Sequence, residues 1–130
     1  MKEIKKVDDI YLEEYGISVH RYLTYAQIQS IADAMLKEDT WSKRAVIYDL
    51  LLLTYATSLT PEEIKEMNHD DIVASGLMDA VVDCVENVYR INDCINFATS
   101  LSQIVHAFIQ NVPQLTQKMQ EIADKYAKGK

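Results

Sequence analysis

Apolar residues recur with helical spacing along most of this chain. Thr24 followed by Gln27 forms a capping box, and Ile28, Ile31, Ala32, Met35 and Leu36 then fall at i, i+3, i+4, i+7 and i+8. That pattern predicts an amphipathic helix. Glu38-Asp39-Thr40 interrupts it, with Thr40 as the next cap. From about Trp41 to Thr57 the residues are apolar nearly all round (Ile47, Tyr48, Leu50, Leu51, Leu52, Leu53, Tyr55), as suits a central helix with several neighbours. Thr60-Pro61-Glu62-Glu63 is a second capping box with proline in the first helical position, and it opens a short helix to about Met67. Asn68 reads as a fresh cap, and Gly76 as the left-handed residue that ends the next turn of helix.

From Leu77 onward two stripes run in parallel. Asp79, Asp83, Glu86, Arg90 and Asp93 recur at 4, 3, 4, 3 and predict one wet face. Val81, Val85, Val88, Asn92 and Ile95 recur at the same spacing opposite. The apolar stripe continues through Phe97, Leu101, Ile104 and Phe108, with a break expected, if anywhere, at Asn92 or at Thr99-Ser100. Pro113 is expected to open a last helix carrying Leu115, Met119, Ile122, Ala123 and Tyr126, closed by Lys125, Lys128 and Lys130. Residues 1–23 lack this periodicity. Ile17-Ser-Val-His-Arg-Tyr-Leu23 alternates imperfectly and suits an extended arm. The expected architecture is all-α: a bundle of five to seven helices over residues 24–130, forming one domain, with an arm at 1–23.

Composition agrees with this class. Of 130 residues, 48% are hydrophobic, and only three Gly and two Pro are present, too few for many β-turns. The net charge of −7 speaks against direct nucleic-acid binding, which needs clustered Lys and Arg, and against anionic membrane surfaces. No apolar run is long enough to span a bilayer. No secretory leader is evident near the N-terminus, so a cytoplasmic protein with reduced Cys84 and Cys94 is expected.

Charge is placed unevenly. Residues 61–93 carry a net −7, equal to that of the whole chain, whereas residues 94–130 carry +2. Between Cys94 and Gln117 there is no Asp, Glu, Lys or Arg at all. On a helix this stretch has one face of Phe97, Leu101, Ile104 and Phe108, widened by Val105 and Ile109. Its other face carries Asn96, Thr99, Ser100, Gln103, His106 and Gln110. A solvated helix normally uses Glu and Lys there, and charge depletion is the compositional mark of an interface core. The alternative is an enclosed helix whose amides bond internally. The expected interface residues are Phe97, Leu101, Gln103, Ile104, Val105, His106, Phe108 and Gln110. The acidic stripe Asp79, Asp83, Glu86 and Asp93 would steer a basic partner. Eight tyrosines against two phenylalanines suit surfaces that are wet before assembly and dry after it.

Candidate chemistry is sparse. Glu62-Glu63-x-x-Glu66 with Asp79-x-x-x-Asp83-x-x-Glu86 would converge carboxylates on Mg²⁺ if two helices packed face to face. This resembles the all-α nucleoside-triphosphate pyrophosphohydrolases, whose E-E-x-x-E helix is followed by E-x-x-D; here the second motif runs D-x-x-E. His69-Asp70 resembles the HD dipeptide of helical phosphohydrolases, without their further ligands. Cys84, Cys94 and His106 lack metal-ligand spacing. No catalytic residue, metal ligand or cofactor is therefore assigned.

Three segments, Arg21-Tyr-Leu-Thr-Tyr-Ala-Gln-Ile-Gln-Ser-Ile31, Asp39-Thr-Trp-Ser-Lys-Arg44 and His69-Asp-Asp-Ile-Val-Ala-Ser-Gly-Leu77, resemble small helical proteins from the structural and assembly modules of tailed phages and prophages of Gram-positive bacteria. The resemblance implies a non-enzymatic assembly protein acting by multivalent contacts with itself or other phage proteins, in the host cytoplasm or the virion. Phage proteins of this size also include inhibitors of host defence, which would use the acidic surface against a basic, nucleic-acid-binding site.

Overall fold

The computed structural model describes residues 3–4 and 7–128, without side-chain detail for 112–116 and 126–128. Two short strands, β1 (Ile10–Leu12) and β2 (Ile17–Val19), precede six helices: α1 (Tyr25–Leu36), α2 (Trp41–Ala56), α3 (Pro61–Glu66), α4 (His69–Ala74), α5 (Leu77–Cys84) and α6 (Tyr89–Lys128). The fold is mostly helical, as its periodicity predicts. It groups into two compact units, Met1–Ile95 and Asn96–Lys130.

The expected extended arm is an antiparallel hairpin, with Ile10 opposite Val19 and Leu12 opposite Ile17. Its alternation decides what it buries: Ile17 and Val19 enter the core while Ser18 does not. The free edge of β2 is tied to the end of α2. His20 N–H donates to the Ala56 carbonyl at 2.7 Å, Ser58 N–H to that of Ser18 at 3.0 Å, and Val19 bridges Thr57.

The helix starts follow the local signals. Thr24 and Thr60 each complete a capping box with Gln27 and Glu63. Asn68 accepts from the N–H groups of Asp70 and Asp71. Gly76 is left-handed at φ 80°, and a Cβ there would meet the Tyr15 hydroxyl at 3.4 Å. Gly76→Ala should therefore lower stability by about 1 kcal/mol, read as a shift in the urea midpoint with unchanged slope.

Helix α2 borders α1, α3 and α5, and Leu52, Leu53 and Ala56 are fully buried. They lie in one cluster with Ile31 of α1, Ile64 of α3, Ile72 of α4, Val81 of α5 and Ile91. His69 locks α4 to α2 through Nε2 to Asp49 Oδ2 at 2.8 Å, while Asp70 stays exposed.

The helix expected from Leu77 into the nineties is two helices. Helix α5 ends at Cys84, Val85 is extended, and α6 begins at Tyr89. The cause lies far away in sequence. Glu86 N–H donates to the Arg21 carbonyl at 2.7 Å, and the Asn87 side chain bonds both the N–H and the carbonyl of Leu23, at 2.9 and 3.0 Å. These bonds offer the chain an alternative to the helical ladder. The break shifts the register: Ile91, not Asn92, turns inward, and Asn92 is exposed. Cys84 and Cys94 consequently sit on different helices, both as free thiols. At the other end α6 does not stop at Pro113 but continues to Lys128. Proline removes one N–H and one rung of the ladder, yet the flanking Gln, Leu, Lys, Met and Glu are good helix formers that carry the helix past it.

Asn87→Ala would leave the partly buried Leu23 backbone without its partners. We expect a loss of about 1–3 kcal/mol, the cost of an orphaned buried donor, measured by chemical denaturation.

Candidate interaction surface

The uncharged stretch lies on α6. Phe97, Leu101, Ile104 and Phe108 are 69%, 49%, 66% and 63% exposed. Val105 and Ile109 are exposed as well, and so are Asn96, Thr99, Ser100, Gln103, His106 and Gln110. His106 and Gln110 are one turn apart, with His106 Nε2 and Gln110 Nε2 at 3.0 Å. The eight expected interface residues thus share one helix and all face solvent in the single chain. Six large apolar side chains in water represent on the order of several kcal/mol of unrealised burial, which makes this face the candidate interaction surface.

The acidic stripe fares differently. Asp79 and Asp83 are exposed on α5 and Asp93 on α6, but Glu86 stands in the turn between those helices. Its carboxylate is already engaged: Oε1 meets Arg21 Nη2 and Oε2 accepts from the Tyr22 hydroxyl, both at 2.5 Å. The four acids therefore do not form a single helical face, because the 85–88 break interrupts it. Glu86 serves to clasp residues 21–23 rather than standing free to steer a partner.

The clasp has a pH signature. The Tyr22 hydroxyl, then the Arg21 guanidinium, holds the Glu86 carboxyl below its ordinary range, and the same carboxylate raises both Arg21 and Tyr22. A carboxylate with a depressed folded pKa contributes stability that is present above its unfolded value and lost as pH falls through the folded one. Glu86→Gln should lower the melting temperature at pH 7, with the difference from wild type shrinking below pH 4. A difference that stays constant between pH 7 and pH 3 would overturn this role.

The remaining carboxylates are dispersed. Glu63 accepts from Thr60 N–H in its capping box, and the described residues hold no group of three or more His, Cys, Asp or Glu placed to bind a metal ion. Burial pushes the Cys84 thiol up, away from reactive thiolate character. No helix among the described residues is long and apolar enough to cross a membrane.

One feature escaped sequence reasoning. Tyr22, Tyr25, Asn87, Tyr89 and Arg90 line a shallow groove of about 530 Å³, with the Arg90 guanidinium 5.5 Å from the Tyr89 ring centroid. Tyr22 and Tyr25 are near neighbours in sequence, but Tyr89 joins them only because the chain turns at 85–88. Elsewhere, Tyr11 is on β1, and Tyr15 in the hairpin turn donates to the Ser75 carbonyl at 2.9 Å.

No family model, curated protein or solved structure matches this chain.

Proposed function

We propose that this chain is a non-enzymatic, phage-encoded interaction or assembly protein that docks a protein partner through the uncharged face of α6. The observation that carries the reading is the exposure of Phe97, Leu101, Ile104, Val105 and Phe108 on a helical stretch without a formal charge. Solvent alone gives no reason to hold those side chains on a helix, and burying them against a partner does. Gln103, His106 and Gln110 supply hydrogen bonds that orient the partner without the desolvation cost of buried charges. The phage origin rests on the three resembling segments alone.

A photo-reactive amino acid at Ile104, expressed in the native host during phage growth, tests the surface directly. It should yield one dominant protein adduct identifiable by mass spectrometry, whereas the same probe at exposed Glu62 on α3 yields none. Absence of any adduct from Ile104, or an equal one from Glu62, would overturn the reading.

A further inference from the structure

With α6 continuous past Pro113, one spacing runs its whole length. Ile91, Cys94, Ala98, Leu101, Val105, Phe108, Val112, Leu115, Met119, Ile122 and Tyr126 recur at alternating steps of 3 and 4, and none carries a formal charge. A strict period of 3.5 over more than four heptads is the requirement for helices that supercoil around one another, since an ordinary surface helix drifts from it at 3.6. The first two positions are already used: Ile91 is buried and Cys94 is packed against the core, with its thiol 3.6 Å from Gln29 Oε1. From Ala98 to Tyr126 the seam is about 43 Å long at 1.5 Å per residue.

We infer that this seam pairs with α6 of a second copy of the chain, in antiparallel orientation. The inference rests on the proposed function and names its partner. Length identifies the occupant: the next longest described helix, α2, has 16 residues and α6 has 40. A second α6 matches both the length and the 3.5 period. Charge sets the direction. The chain around the start of α6 is acidic, with net −7 over residues 61–93, and residues 94–130 are net +2. Antiparallel pairing separates the two acidic regions and sets the mildly basic end of one α6 level with the acidic start of the other, and the helix dipoles then oppose favourably. Parallel pairing would set the acidic regions side by side. The antiparallel register that achieves this layers Ala98 on Ile122 and Leu101 on Met119, a small residue or a branched one against a longer one. Phe97, Ile104 and Ile109 stand on the flanks of the seam and widen the buried face.

Light scattering coupled to size exclusion, on the full chain at about 100 μM, should give at least twice the 14.9 kDa chain mass. Orientation is read from Ala98→Cys and Ile122→Cys, each made in a background with Cys84→Ala and Cys94→Ala, then mixed, exchanged and oxidised. The mixed 98–122 disulfide should exceed either self-linked product at least tenfold. Predominant 98–98 and 122–122 products would overturn the antiparallel pairing. A monomeric wild-type mass would overturn self-association altogether, and the Ile104 photo-adduct then separates the two ideas. An adduct to a different protein leaves the interaction surface standing without self-pairing, and no adduct removes both.

Discussion

Leu101→Asp with Phe108→Asp should reduce the proposed α6-paired assembly to a monomer while leaving the folded 7–95 region intact. Both residues are in the middle of the uncharged stretch, both are about half exposed or more in the single chain, and both fall on the 3.5-period seam. In the monomer the substitutions place carboxylates where water already reaches, so the core unit loses nothing. In the paired helices the carboxylate at 108 is buried without a cation, because it faces residue 112 of the other copy and no Lys or Arg lies between Cys94 and Gln117 in either copy, and the carboxylate at 101 replaces the apolar contact with Met119. An unpaired buried charge costs several kcal/mol. The double variant puts four carboxylates into the paired helices, and a total cost of about 6 kcal/mol already weakens association by roughly 10⁴-fold. Molar mass should fall to 14.9 kDa. The helical signal should drop only partly, since a lone helix of this composition frays without a partner. An unchanged molar mass in a folded double variant would count decisively against α6 as the assembly surface.

The second large effect belongs to the core. Leu53→Ala should destabilise the protein by about 2–5 kcal/mol, the range for a buried leucine that leaves a cavity. Leu53 is 0% exposed and sits in one cluster with Ile31, Ile64, Val81 and Ile91. Its carbonyl also accepts from the Thr57 N–H and hydroxyl, where α2 hands over to the hairpin edge. The site is surrounded by several short elements that cannot all collapse onto a missing isobutyl group. Against a typical stability of about 5–15 kcal/mol, this single change approaches the limit of what the fold tolerates. Urea denaturation with an unchanged slope measures it, and a loss under 1 kcal/mol would mean that the hairpin and α2 repack. Conversely, this variant should leave assembly through α6 unaffected at temperatures where the core is folded.

Local signals were readable along the chain wherever the determinant lies within a few residues. The capping boxes at Thr24 and Thr60, the Asn68 cap and the left-handed Gly76 all formed as their neighbours require, because each satisfies its own backbone within one turn. The apolar character of residues 41–57 placed α2 centrally for a similar reason: a helix without a polar face has nowhere else to go. Length, charge distribution and the uncharged stretch were equally plain, as properties of composition alone.

Other features depended on partners distant in sequence. The break at 85–88 is made by hydrogen bonds of Glu86 and Asn87 with the backbone of Arg21 and Leu23, more than sixty residues away, and no spacing within Leu77–Ile95 encodes it. That one contact dissolved the expected acidic face, turned Ile91 inward in place of Asn92, and engaged Glu86 in a clasp. Pairing of 10–12 with 17–19 likewise needed the end of α2 as a third edge, since so short a hairpin is marginal alone. Solvent exposure of Phe97 to Ile109 was undecidable from residue types, because an enclosed helix and an unpartnered one share the same composition. The sequence by itself determined the helical class, the caps, the acidic middle and the charge-free stretch, all set by interactions between near neighbours. Only the tertiary structure decided where the helices break, which carboxylates are tied down and which apolar face meets water, since burial and long-range hydrogen bonds belong to no single segment of the chain.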